Sequence, residues 1–155
     1  MIKKVFDYLI LNNKTISFAE SCTGGSLSLS ISKIPTASMV FKGSIISYTK
    51  SSKENVLDIE RTYLDKYSTI SREVAIQMAK NVMKKFKSDY SISITGNAGP
   101  SVETSDSSIG DCYISVLSKK QVYCEKYNIN ETREVFIKNA TNKCFELFSE
   151  KFINQ

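Results

Sequence analysis

The chain has 155 residues, 41% hydrophobic and 24% charged, which suits one globular domain with a buried core. Its net charge of +5 comes from lysines scattered among acidic residues, with no basic block interleaved with aromatics; that pattern argues against nucleic-acid binding and favours weak attraction of anionic metabolites such as phosphates. There is no histidine, which excludes a Ser-His-Asp hydrolase.

Residues 1–13 read as an amphipathic helix with Ile2, Val5, Phe6, Leu9 and Ile10 on one face, ended by Asn12 and Asn13. A strand is predicted at 15–19. The turn Glu20-Ser21-Cys22-Thr23-Gly24-Gly25 follows it and opens into a helix from Ser26 to about Ser32. After Pro35, residues 39–48 are β-rich, and Gly43 in their middle marks a bulge or a close backbone approach. Residues 51–57 fit a short helix capped by Ser51 or Ser52. A longer helix starts at Ser71, with Ala75, Met78, Ala79, Val82, Met83 and Phe86 as its core stripe. Residues 90–94 alternate as a strand, 95–100 form a glycine-bearing loop, and 101–108 are polar and predicted to be exposed and mobile. Strands at 112–117 and 122–127 make a hairpin around Lys119 and Lys120. Asn130 or Thr132 then caps a last helix that turns Phe136, Ala140, Cys144, Leu147 and Phe148 inward. With no repeat or linker, residues 1–155 are expected to form one domain, a three-layer α/β/α sandwich with a mixed sheet.

Cys22, Cys112, Cys124 and Cys144 form no C-x-x-C pair, and without histidine a zinc site is not expected. No metal or cofactor is predicted, and the thiols are expected to be free in a reducing cytoplasm. No apolar run follows Met1-Ile2-Lys3-Lys4 as in a signal peptide, and none approaches the roughly 20 residues of a membrane span. The expectation is a cytoplasmic protein with no membrane partner.

A strand turning through two glycines into a helix lifts a side chain to the sheet end and leaves backbone N–H groups pointing at it. Ser21 is therefore either the nucleophile or a serine satisfying a tight turn. Lysine is the remaining candidate base, and Lys53, just past a predicted strand end, is the candidate. To act so it must be neutral, against an ordinary pKa of about 10.4; burial or the neighbouring charge of Lys50 would favour that. Tyr48 positions Lys53, relays a proton, or is an ordinary strand aromatic. Thr23, Gly24 and Gly25 are candidate oxyanion donors. Cys22 is expected to be a packed small residue. Glu20 either accepts from substrate, orients Lys53, or is a surface carboxylate. The second strand end, with Thr95, Gly96 and Gly99, is a candidate wall of the same anion pocket.

With these segments in place the chain resembles the C-terminal domain of the competence-damage-inducible protein CinA, the nicotinamide-nucleotide amidase family. The resemblance is carried by A-E-S-C-T-G-G at 19–25, the segment from Phe41 to Lys53, residues 70–75, and the glycine loop at 95–100. It implies hydrolysis of the carboxamide of nicotinamide mononucleotide to nicotinic acid mononucleotide and ammonia, without a metal, by a commonly homodimeric three-layer α/β domain. It places Ser21 and Lys53 in the catalytic pair, Tyr48 on the family's tyrosine, and Arg133 on the first of two arginines that bind substrate. Larger members carry a further N-terminal domain, so this chain looks like the stand-alone form. The chain departs from the family pattern at Lys50, where the family has asparagine, at Asn97, where it has isoleucine, in the 101–111 loop, and at Ile137 in place of the second arginine. Lys138 and Lys50 are the candidate replacements for that cation. A non-catalytic nucleotide-binding module is the rival reading.

Overall fold

Strand β1 (Ile16–Glu20) is buried along its whole length, and the rest of the molecule is arranged around it. In the computed structural model, which describes residues 1–102 and 107–154, it pairs in parallel with β2 (Phe41–Ile46) and β3 (Tyr90–Gly96). Strands β4 (Asp111–Ser118) and β5 (Val122–Asn128) continue antiparallel, giving one mixed sheet in the order β2-β1-β3-β4-β5. Successive side chains of β1 serve opposite cores: Ile16 and Phe18 face one, and Ala19 faces the other.

Helices α1 (Ile2–Leu11), α2 (Ser26–Ser32) and α6 (Arg133–Phe152) cover the first face through Val5, Leu9, Leu27, Ile31, Phe145 and Phe148. Helices α3 (Lys50–Asn55), α4 (Arg61–Tyr67) and α5 (Arg72–Phe86) lie on the second, where Leu57, Leu64, Val74, Met78 and Val82 join Ala19. The three-layer α/β/α sandwich with a mixed sheet is therefore observed.

The α5 stripe buries Val74, Ala75, Met78, Ala79 and Val82, while Met83 and Phe86 stay only partly covered. Its cap is Ser71, whose Oγ accepts from the Val74 N–H at 3.2 Å. The polar residues alternating along β3 do not face water. Ser91 Oγ donates to the Ala79 carbonyl at 2.8 Å and Ser93 Oγ to that of Ala75 at 2.5 Å. Small hydroxyl side chains thus let α5 sit close on the sheet while their hydrogens remain satisfied.

Gly43 fulfils both readings made of it. The register of β1 against β2 shifts at this point, passing from Phe41 to Gly43. Its φ is +144°, and an added Cβ would lie 2.4 Å from the Phe86 ring.

Three expectations need correction, and one helix needs adding. The short helix begins at Lys50 and is capped by Thr49 rather than Ser51 or Ser52; Thr49 Oγ1 accepts from the Ser52 N–H, and Ser52 Oγ accepts in return from that of Thr49. Thr95 and Gly96 belong to β3, so the loop starts at Asn97. Thr132 is the N-cap position of α6 but makes no side-chain capping bond. Finally, α4 was not anticipated, because its seven largely polar residues bury only Leu64. In the 101–108 segment Ser101 and Val102 are exposed and Ser107 is buried; the expectation for 103–106 lies outside the described residues. Among the described residues no helix is long and apolar enough to cross a membrane.

Candidate functional site

The carboxyl end of β1 is pinned from both sides. The Ser21 N–H donates to the Ile94 carbonyl at 3.1 Å, and the Ser47 N–H donates to that of Glu20 at 2.8 Å. This fixes Ser21, 6% exposed, at the sheet edge between β2 and β3. Lys53 comes in from α3, whose start is set by the Thr49 capping box. Its Nζ lies 2.8 Å from Ser21 Oγ and donates to the Ser47 carbonyl at 2.8 Å, and the residue is 1% exposed. The serine and the lysine singled out from the sequence are brought together.

Glu20 is not a surface carboxylate. It is fully buried. Its Oε2 accepts from Thr23 Oγ1 and from the Gly25 and Leu27 amides at 2.8–3.0 Å, while Oε1 accepts from the Ser28 amide and hydroxyl at 2.9 and 2.6 Å. The carboxylate reaches across the turn to cap α2, a role that Gly25, in a left-handed conformation at φ +104°, does not fill with a side chain of its own. Two more of the turn amides are also spoken for: Gly24 donates to the Ser21 carbonyl and Ser26 to that of Thr23. Of the predicted donors Thr23, Gly24 and Gly25, only the Thr23 amide lacks a protein acceptor among the described residues, and the Cys22 amide joins it.

Cys22 is buried, as expected. Removal from water, with the nearby Cys112 adding to it, pushes its thiol well above the ordinary range, so it is no thiolate at neutral pH.

Two cavities meet at Tyr48. The smaller, about 50 Å³, is lined by Ser21, Tyr48, Gly96, Asn97, Gly99 and Arg133 among others. The larger, about 590 Å³, runs between α3 and α4 along Tyr48, Thr49, Lys50, Leu64, Asp65 and Thr69. Tyr48 is 44% exposed, and its hydroxyl accepts from Arg133 Nη2. It stands at the mouth of the smaller cavity. Arg133, from the start of α6, also donates through Nη1 to the Gly99 carbonyl at 2.7 Å. All its partners among the described residues are neutral, so its charge is available to an anion. Ile137, one turn on, packs against the apolar core. Lys50, at the position where the sequence departs from the family pattern, pairs with Asp65 across the larger cavity.

The structure adds residues that the sequence reading did not assign: the Ser47 carbonyl, the groove wall on α4, and Asn97. Only Asn97 carried a signal, its departure from the family pattern. Thr95, taken as a pocket residue, instead donates to the Thr69 carbonyl at 2.7 Å and joins the groove wall to β3. Among the described residues no cluster of carboxylates and cysteines is placed to hold a metal ion.

The domain is a three-layer α/β sandwich that buries a serine–lysine pair at the end of a parallel strand and contains no histidine. Residues 1–152 match the family model of the CinA C-terminal domain, and the chain belongs to that family. A CinA-like protein of Flavobacterium psychrophilum is 40% identical over 139 residues, covering 90% of this chain and 33% of the relative. One of Endomicrobium trichonymphae is 38% identical over 145 residues, covering 94% and 34%. The chain thus spans about a third of the length of these relatives. The crystal structure of competence damage-inducible protein A from Klebsiella pneumoniae superposes with a TM-score of 0.95 at 21% identity, over 99% of this chain and 95% of that one. A CinA superfamily protein of Escherichia coli gives 0.91 at 24% identity, over 95% and 86%. These likenesses establish the fold.

Proposed function

We propose that this domain is an amidohydrolase that removes ammonia from the carboxamide of a pyridine mononucleotide, nicotinamide mononucleotide being the first substrate to test. The observation that carries the reading is the 2.8 Å separation of Lys53 Nζ and Ser21 Oγ, both out of water. Removal from water favours the uncharged form of an amine, and that form accepts the serine proton across the same distance.

In this reading Ser21 Oγ bonds to the amide carbon as its proton passes to Lys53. The carbonyl oxygen takes the electron pair and is received by the free amides of Cys22 and Thr23. Collapse breaks the C–N bond, and Lys53 returns the proton to the departing nitrogen, which leaves as ammonia. Water, deprotonated by the same amine, then releases the acid from Ser21. The Ser47 carbonyl fixes the rotamer of Lys53. A cavity of about 50 Å³ suits the reacting carboxamide, and the 590 Å³ groove beyond Tyr48 suits the rest of a nucleotide. Arg133 is the candidate phosphate or carboxylate ligand, exchanging two neutral acceptors for a charged one. Recycling of pyridine nucleotides by a cytoplasmic homodimer completes the reading.

The experiment is ammonia release from nicotinamide mononucleotide by the purified protein, beside Ser21→Ala. Turnover that survives in Ser21→Ala rejects the nucleophile. A second reading, a nucleotide-binding module without turnover, is favoured by Ile137, which is tucked against the core where a second cation would be expected. Calorimetric binding with no ammonia after long incubation would select it.

A further inference from the structure

Asn97 is held on three sides. Its N–H donates to the Asp111 carbonyl at 2.8 Å, its carbonyl accepts from the Gly110 N–H at 2.8 Å, and its side-chain Oδ1 accepts from the Gly99 N–H at 3.0 Å. The last bond fixes which way the carboxamide is turned, so Nδ2 must face away from Gly99. That nitrogen is buried and has no acceptor among the described residues. The residue is 3% exposed and lines the small cavity with Ser21 and Arg133.

A buried amide donor without a partner is costly, and an apolar side chain would fill the position without that cost. The rigid hold excludes the simplest escape, rotation of the side chain to find a partner. Because the residue lines the small cavity, a group that enters there is the natural source of the acceptor. An –NH2 group has no lone pair for a cation, so the acceptor is an oxygen or a ring nitrogen. We propose that Asn97 is a specificity-determining residue whose Nδ2 donates to the carbonyl oxygen of the group presented to Ser21. This rests on the amidohydrolase reading for the identity of that group. Because the oxygen gains negative charge when the serine attacks, the bond strengthens in the transition state, and its loss falls on kcat more than on KM.

Asn97→Asp is the sharpest variant, because it keeps the oxygen that serves Gly99 and replaces only the donor. In 15N-labelled protein titrated with nicotinamide mononucleotide, the Asn97 side-chain NH2 signals should shift and saturate with the nucleotide. Asn97→Asp should lower kcat/KM by about tenfold or more, and the Tm of the ligand-free protein should fall as well, because a carboxylate then occupies a buried place. Asn97→Ser, which carries no charge, should lower kcat/KM similarly, separating loss of the donor from repulsion by the new carboxylate. NH2 signals that stay still at saturating nucleotide, or variants that turn over like the wild type, overturn the proposal; a trapped water would then be the partner. Binding with the NH2 shift but without ammonia release sinks the hydrolase reading and leaves the donor role standing. Ammonia release with unmoved NH2 signals does the reverse, and a wild type that takes up no nucleotide overturns both.

Discussion

Two strand ends meet at this site, and they are built on opposite terms. At the end of β1 most of the donors are consumed internally: one buried carboxylate, Glu20, receives three amides and three hydroxyls, and of the turn only the Cys22 and Thr23 amides are left over. At the end of β3 the loop leaves the Asn97 amide nitrogen unused and offers Arg133 only neutral acceptors. The first is scaffolding beneath Ser21. The second, in the proposed reading, is the side that meets the ligand. A glycine-rich turn running into a helix is thus not an anion site by itself, since whether its amides are free depends on a side chain that the motif also supplies.

The largest effect should come from the pair the β1 end supports. Ser21→Ala and Lys53→Met should each lower ammonia release by about 10³-fold or more, in keeping with loss of a nucleophile or its base. Their double variant should be scarcely worse than either alone, because the two act as a unit. Additive losses would show that Lys53 does something other than take the serine proton.

Next is the scaffold itself. Glu20→Ala removes the cap of α2 and strands several buried donors, for an expected loss of about 2–4 kcal/mol in urea unfolding. Glu20→Gln should recover little, because its amide nitrogen would face N–H groups of the turn. Full stability in both variants would end the contrast between the two strand ends.

Glu20 also marks how far the sequence could be read. The strand–turn–helix order around it, the Ser21–Lys53 pair and the two core stripes follow from period and turn chemistry, and the structure has them. The destination of the Glu20 side chain does not follow, because a carboxylate at a strand end reads as exposed until the helix after the turn is seen folding back over it. The serines of β3 hide their destination for a related reason: alternation with apolar residues is the usual sign of a half-wet strand, yet these hydroxyls are satisfied by α5 carbonyls. Helix α4 was silent because one buried leucine in seven residues leaves no period to detect. Its contribution, the far wall of the larger cavity, was therefore illegible too.

A smaller effect is expected from the cation of the β3 end. Arg133→Ala should raise KM for the mononucleotide by about tenfold through loss of a charge-assisted contact, with kcat changed less. Nicotinamide riboside, which has no phosphate, should be nearly indifferent to the change if phosphate is the group held. Equal losses for both compounds would assign Arg133 to the shape of the Gly99 loop instead.

The smallest effect concerns how the β3 loop is anchored. Asp111, whose carbonyl holds the Asn97 amide, keeps its carboxylate in place with Asn128 Nδ2 at 2.9 Å, Lys126 Nζ at 2.9 Å and the Ser108 N–H at 3.1 Å. Burial alone pushes this carboxyl up, but those three donors and the lysine charge together hold it below the ordinary carboxylate range. A depressed carboxyl contributes stability that is present above its unfolded value, near 3.9, and is lost as pH falls through the folded one. The acid limb of the stability curve, below about pH 4, should therefore flatten in Asp111→Asn while the neutral limb drops slightly. Hydrogen exchange at Gly110 and Asn97 should quicken in the wild type as pH falls through this range, and should already be quick at neutral pH in Asp111→Asn. Exchange at these two amides that is indifferent to both changes would mean that the loop is not anchored through this carboxylate.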